Sequence, residues 1–175
     1  PKKSLGQNFL IDKNIINKII NFGNIKDKNV LEIGPGTGHL TKNILTKKPK
    51  KLIVIEKDAY LIQELKKNVK HEDIEILNED ILKTNLELIM LKNTIVYGNL
   101  PYNISTQILI RLIQLLDTPL RFSKLIIMFQ KEVAEKITAK FNTKNYGRLT
   151  VIANWRLKIT NHLDISKNCF WPKPK

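Results

Sequence analysis

The chain has 175 residues and a mass of 20.3 kDa, room for one domain of ordinary size around a single core. At 42% hydrophobic and 26% charged residues it sits near the average of folded globular chains, which excludes a disordered tail, a collagen and a disulfide scaffold. Thirty Lys and Arg against sixteen Asp and Glu give a formal charge of +14, a surplus that suits a polyanionic partner such as nucleic acid or an anionic membrane.

The opening segment, Pro1 to Leu10, carries basic residues with no long apolar run behind them, so it is not expected to be a secretory signal. Asp12 is placed to cap a helix reaching Asn21, in which Ile15, Ile16, Ile19 and Ile20 recur at helical spacing. Asn29–Ile33 reads as a short apolar strand running into a glycine-rich turn, and Thr37–Thr46 as a helix. Leu52–Glu56 is a second strand, and Asp58 caps a helix through Val69. Further strands are expected at Ile74–Leu77, Thr94–Tyr97 and Lys124–Phe129, with helices at Ser105–Leu116 and Lys131–Ala139. From Arg148 the pattern changes: Leu149–Trp155 and Leu157–Leu163 are β-rich with no helix between them, which predicts an antiparallel pair at one sheet edge. No apolar stretch approaches the roughly 20 residues that span a bilayer. Cys169 is the only cysteine, which points to a reducing compartment and a cytoplasmic protein.

Strands apolar on both faces, each followed by a helix, imply an α/β fold with a mainly parallel sheet covered on both sides. In such sheets ligands bind beyond the carboxyl ends of the strands, where the strand order reverses. Glu32-Ile33-Gly34-Pro35-Gly36-Thr37-Gly38 lies at one such end, and its glycines let backbone approach a ligand that a Cβ would exclude. His39 stands where the dinucleotide fingerprint has its third glycine, which disfavours a nicotinamide enzyme. Glu56 closes the second strand, where a carboxylate can accept bonds from both ribose hydroxyls of a nucleoside, although it can also cap the helix that follows. Asp80 follows the third strand and can accept an adenine amine; a lone acid there is more often simply solvated.

Asn99-Leu100-Pro101-Tyr102, after the fourth strand, is the most specific feature. An adenine amine is a poor nucleophile while its lone pair is delocalised into the ring. If the Asn99 oxygen and the Leu100 carbonyl accept its two N–H bonds, the nitrogen is drawn toward a pyramidal geometry and its developing charge is stabilised. Pro101 holds the turn without adding a donor, and Tyr102 offers a face for the base, worth about 1–3 kcal/mol in comparable sites.

This tetrapeptide resembles the motif of amino-methyltransferases, and Glu32–Gly38 resembles the glycine-rich motif of S-adenosylmethionine enzymes. With Gly6-Gln7-Asn8-Phe9-Leu10 and the closing Phe170-x-Pro-x-Pro-Lys, the chain resembles the small-subunit rRNA adenine dimethyltransferases from residue 4 to 175. The resemblance implies a Rossmann-like class I methyltransferase fold with a seven-stranded sheet and an antiparallel edge. It implies S-adenosyl-L-methionine as cofactor, with Gln7, Asn8 and Leu10 folded over it, Gly34 and Gly36 beside its amino-acid part, Glu56 on the ribose, Asp80 and Ile81 on the adenine, and Asn99 also among the cofactor-binding residues. Catalysis would fall to Asn99, Leu100, Pro101 and Tyr102, with Phe170 as a second wall against the target base. The implied reaction is dimethylation at N6 of two adjacent adenosines near the 3′ end of small-subunit (16S) rRNA, by a monomer acting on a pre-assembled subunit.

Family members continue past the Phe-x-Pro-x-Pro-Lys motif into a small helical domain, so residues 1–175 are expected to be the catalytic domain without it. The charge fits an RNA partner. Residues 1–50 hold ten basic and three acidic groups, 51–118 eight and ten, and 119–175 twelve and three. Expected phosphate contacts are Lys2, Lys3, the Lys47–Lys51 loop, Lys140, Lys144 and Arg148. Compositional bias competes with that reading, since Lys, Ile and Asn number 26, 26 and 18 while Arg numbers four. No metal is expected, because His39, His71 and His162 have no ligand spacing. The alternatives are a DNA adenine methyltransferase, which uses a related tetrapeptide, and a non-catalytic RNA-binding assembly factor.

Overall fold

A computed structural model describes residues 8–70, 73–118 and 122–174. In chain order its elements are β1 (Phe9–Leu10), α1 (Lys13–Asn21), β2 (Asn29–Ile33), α2 (His39–Leu45), β3 (Lys51–Ile55), α3 (Ala59–Asn68) and β4 (Ile74–Leu77). They continue with α4 (Leu86–Ile89), β5 (Thr94–Asn99), α5 (Ser105–Gln114), β6 (Phe122–Met128), α6 (Lys131–Ile137), α7 (Arg148–Arg156) and β7 (Phe170–Trp171).

Five strands form one sheet in the order β4-β3-β2-β5-β6, every neighbouring pair parallel. The chain fills one half through β2, β3 and β4, then returns to the other side of β2 with β5 and β6. Strand order therefore reverses between β2 and β5, and at the carboxyl ends of that pair Ile33 lies level with Gly98.

The period of two along the strands accounts for the layers. Val30, Leu52, Val54, Ile95 and Tyr97 face one core with Ile16, Ile19 and Ile20 of α1, Leu40 and Ile44 of α2 and Leu65 of α3. Leu31, Ile33, Ile53, Ile55 and Val96 face the other, against Leu86 of α4 and Ile108 and Leu112 of α5. Asp12 caps α1 through the amides of Asn14 and Ile15, and Asp58 caps α3 through that of Tyr60, at the positions the sequence predicts. The Tyr97 hydroxyl, wholly buried, donates to the Ile20 carbonyl and fixes the end of α1 against β5.

Among the described residues the sheet has five strands rather than seven, and the expected antiparallel edge from Leu149 to Leu163 does not form. Leu149–Trp155 lies within helix α7, because Leu149, Ala153 and Leu157 recur every fourth residue and, with Ile152, pack on Leu109 and Ile113 of α5 and Ile137 of α6. Two side chains bind α7 to the end of α6: Thr150 donates from Oγ1 to the Lys136 carbonyl, and Asn154 donates from Nδ2 to that of Ile137. Residues 157–163 form no strand. The antiparallel pairing occurs elsewhere. β1 and β7 form a two-stranded sheet in which Phe9 faces Trp171 and Leu10 faces Phe170.

Candidate functional site

Beyond the reversal point the chain from β2 turns sharply through Gly34, Gly36 and Gly38, all with positive φ, the left-handed region that residues with a Cβ seldom adopt. At Gly34 a Cβ would face only the Asn99 carbonyl at 3.5 Å. At Gly36 it would press into the Phe9 ring at 2.6 Å, so this glycine makes room for β1 as well as for any ligand.

Glu56, just beyond β3, is buried and accepts at both oxygens: from the Gly36 amide at 3.3 Å and the Asp58 amide at 2.9 Å. It thus ties the glycine turn to the start of α3. Burial raises its pKa from the ordinary carboxylate value, against the opposing pull of those amides. Asp80 accepts from Lys57 Nζ at 2.8 Å and from the Leu82 amide at 3.0 Å. The hydrogen bond from Lys57 is the main reason its carboxyl lies below the usual range. Asn78 donates to the carbonyls of Glu56 and Lys57 and holds the ends of β3 and β4 together. Ile81 is buried in the same core cluster as Leu100.

On the far side of the turn Asn99 ends β5 and donates from Nδ2 to the Asn8 carbonyl at 2.7 Å. Its Oδ1 therefore points away from Asn8 as an acceptor. Leu100 is buried at 2% exposure and anchors the turn, and the Pro101 carbonyl accepts from the Ile104 amide as the chain enters α5. Ser105 donates to the Tyr102 carbonyl at 3.3 Å. Tyr102 is half-buried, and burial raises its hydroxyl pKa against a smaller opposing pull from the nearby Asn8 side chain. Asn8 thus lies beside both Asn99 and Tyr102.

Phe170 is half-buried and packs against the core that contains Leu10, its β1 partner. The structure therefore gathers Asn8, Gly34, Gly36, Glu56 and Asn99–Tyr102 at the crevice beyond the carboxyl ends of the strands, with Asp80 and Ile81 at the neighbouring strand end, while Leu10 is buried in the core beneath β1. Gln7, Lys2 and Lys3 lie outside the described residues, as does His71. The Lys47–Lys51 loop precedes β3 and so lies at the amino edge of the sheet, opposite the crevice, where Lys51 pairs with Glu75 at 2.6 Å. Among the described residues no helix is long and apolar enough to cross a membrane.

Residues 1–175 match the family described as ribosomal RNA adenine dimethylase. The chain belongs to this family. It is 51% identical, over 99% of its length, to the ribosomal RNA small subunit methyltransferase A of Pelagibacter ubique (strain HTCC1062), and spans 66% of that relative. Among solved structures it resembles a dimethyladenosine transferase from Plasmodium falciparum, with a TM-score of 0.83 and 36% identity over 95% of this chain and 59% of that one. It also resembles the 23S rRNA methyltransferase ErmE, with a TM-score of 0.73 and 25% identity over 95% and 65% of the two chains. The fold is that of class I methyltransferases, with a five-stranded parallel sheet and a separate antiparallel pair.

In this member of the rRNA adenine dimethylase family, three residues at or beneath the site support it without being among the expected site residues. Phe9 covers the glycine turn, Lys57 grips Asp80, and Glu32 is buried at 1% exposure on the strand that leads into the turn. Burial pushes the Glu32 carboxyl up to about 8, and nearby Glu56 adds to the rise. The Thr41 hydroxyl stands near enough to temper it, but neither Thr41 Oγ1 nor Glu32 Oε2 meets hydrogen-bond geometry. A charged residue inside the apolar run Asn29–Ile33 was the signal that marked Glu32.

Proposed function

We propose that residues 1–175 are the catalytic domain of an S-adenosyl-L-methionine-dependent rRNA adenine-N6 dimethyltransferase. It would act as a monomer in the cytoplasm, on two adjacent adenosines near the 3′ end of small-subunit rRNA within a pre-assembled subunit during ribosome biogenesis. The observation that carries the reading is Asn99, whose Nδ2 is held by the Asn8 carbonyl, which leaves its Oδ1 as an acceptor, while its main-chain carbonyl borders the glycine turn at Gly34.

The residues present fit the cofactor. The turn at Gly34 has positive φ and leaves open the space a Cβ would fill, with only the Asn99 carbonyl at its edge. Both Glu56 oxygens are oriented by main-chain amides and each retains a lone pair for a ribose hydroxyl. Asp80 offers an acceptor to the adenine amine, Ile81 an apolar wall, and Asn8 closes the crevice from above. When bound, the cofactor supplies an electrophilic methyl group.

The chain's own part is to hold the target amine. Asn99 Oδ1 and the Leu100 carbonyl accept its N–H bonds and face the positive charge that grows on nitrogen. Pro101 presents no competing donor, and the Tyr102 ring stacks on the base with Phe170 on the other side. An adenine inside a duplex shields its amine, so the substrate base is unpaired or extruded.

The test pairs titration of S-adenosylmethionine with methylation of undermethylated small subunits. Tyr102→Ala should bind the cofactor like the wild type and transfer methyl at least about tenfold more slowly, the equivalent of one lost stacking partner. Transfer at the wild-type rate would overturn the role of Tyr102, and labelling of duplex DNA in preference to ribosomal particles would overturn the substrate.

A further inference from the structure

We propose that the loop of residues 138–147 and the exposed face of α7 form an RNA-docking surface separate from the crevice, in which lysines take phosphates and aromatic rings take unpaired bases. The proposal rests on the RNA reading given above.

Residues 136–163 contain six Lys and Arg and no Asp or Glu. Arg156 is already engaged, bonded to Asp117 at 2.6 Å, which leaves Lys136, Lys140, Lys144, Arg148 and Lys158 as exposed cations, the middle three on the loop and at the start of α7. The aromatic residues of this stretch do not serve the core. Phe141 and Trp155 are both 74% exposed and Tyr146 40%, while the contacts that hold α7 in place come from Leu149, Ile152, Ala153 and Leu157 on its other side. On α7, Arg148, Val151 and Trp155 follow one another at spacings of three and four and share the solvent face.

The rings are also arranged for stacking. Phe141 and Tyr146 meet edge to face, with centroids 5.5 Å apart and planes at 87°, so each steadies the other in a contact that takes up only one of their four ring faces. Arg156 lies 5.0 Å from the Trp155 ring and covers one indole face, leaving the other open. Cations interleaved with flat exposed rings are what single-stranded RNA requires, since phosphates need charge and unstacked bases need a π-face. An anionic membrane would instead favour a continuous aliphatic face, and the solvent side of α7 offers only Val151.

The position suits the crevice. β6 ends level with Asn99, and α6 starts three residues later. With seven residues α6 is about 10 Å long, so the loop that follows stays close enough for one folded RNA to reach both.

The experiment measures binding of undermethylated small subunits, of phosphatidylglycerol vesicles and of S-adenosylmethionine to the wild-type chain and its variants. Phe141→Ala/Tyr146→Ala and Trp155→Ala should each weaken particle binding about tenfold and leave cofactor affinity unchanged. Phe141→Leu/Tyr146→Leu, which keeps apolar bulk without a π-face, should reproduce the loss if circular dichroism shows the alanine pair to be misfolded. Lys140→Gln/Lys144→Gln should lower the slope of log affinity against log salt by about 0.7–0.9 per lysine. Wild-type particle affinity in all of these variants overturns the proposal, as does a loss confined to vesicle binding. If the wild-type chain transfers no methyl to particles yet the variants still lose RNA affinity, the catalytic reading fails and the docking surface stands. Normal methylation with no loss in any variant has the reverse meaning.

Discussion

The Asn99 side chain donates from Nδ2 to the main-chain carbonyl of Asn8 across 2.7 Å, joining residues 91 positions apart. A carbonyl can only accept, so this contact fixes which end of the Asn99 amide faces the first described residues and which faces the crevice.

Asn99→Asp keeps an acceptor oxygen but loses the donor that meets the Asn8 carbonyl. A carboxylate would stand against the Asn8 carbonyl with no proton between them, releasing Asn8 beside β1. Turnover should fall by roughly a hundredfold or more, the scale for losing one preorganised transition-state contact, and cofactor affinity should drop with it. Asn99→Ala removes the acceptor without adding repulsion and should lower turnover more than affinity. Single-turnover methyl transfer and calorimetric titration separate the two; unchanged cofactor affinity in Asn99→Asp would show that the tether does not hold Asn8.

Gly36→Ala meets two obstacles, a φ of +57° and a Phe9 ring carbon 2.6 Å from the new Cβ. Left-handed backbone in a residue with a Cβ costs about 1 kcal/mol or more and the clash adds a comparable amount, so thermal unfolding should shift down by roughly 4–8 °C. Adding Phe9→Ala removes the clash and leaves the backbone strain. The double variant should recover part of the loss relative to the sum of the singles, and strict additivity would mean that the ring is not pressed on the turn.

Glu32 makes stability depend on pH. Its folded pKa of about 8 lies above the unfolded value near 4.5, so between these limits the folded state holds the proton more tightly. The stability tied to this group is complete below the unfolded value and is lost as pH rises through the folded one. Thermal unfolding followed from pH 5.5 to 8.5 should decline by several degrees, equivalent to about 2–3 kcal/mol. Glu32→Gln should flatten that decline, and an equal slope in the variant would place the titrating group elsewhere.

Glu56→Gln keeps the shape of the side chain and spoils its bonding. One of the two amides that now meet an oxygen, those of Gly36 and Asp58, would face an NH2 group instead. The expected stability loss is about 1–2 kcal/mol, with cofactor affinity reduced more than tenfold because a ribose acceptor becomes a donor. Titration calorimetry on the variant checks this, and near-normal affinity would remove Glu56 from the ribose.

The layers and the crevice were legible because each rests on a local pattern. Runs such as Leu52–Ile55 are apolar on both faces, Asp12 and Asp58 are recognisable caps, and glycine turns and strand-end acids can only gather where parallel strands end. The tail was misread because Leu149–Trp155 mixes β-branched and aromatic residues, and its helical spacing matters only once α5 and α6 supply a surface to bury it. The β1–β7 pair was invisible for another reason: two-residue strands have no periodicity, and Leu10 finds Phe170 across almost the whole chain. Lys57 was missed because a surface lysine shows its importance only through the acid it meets, here Asp80.

That pairing has a consequence for synthesis. Phe9 and Leu10 leave the ribosome early and must wait for Phe170 and Trp171 before their strand exists, while the glycine turn and β2 through β6 have everything they need well before then. Closing such a distant contact carries a loop entropy that local helices and adjacent parallel strands do not face at once. A nascent chain halted before residue 170 is expected to present a folded sheet with its crevice uncovered.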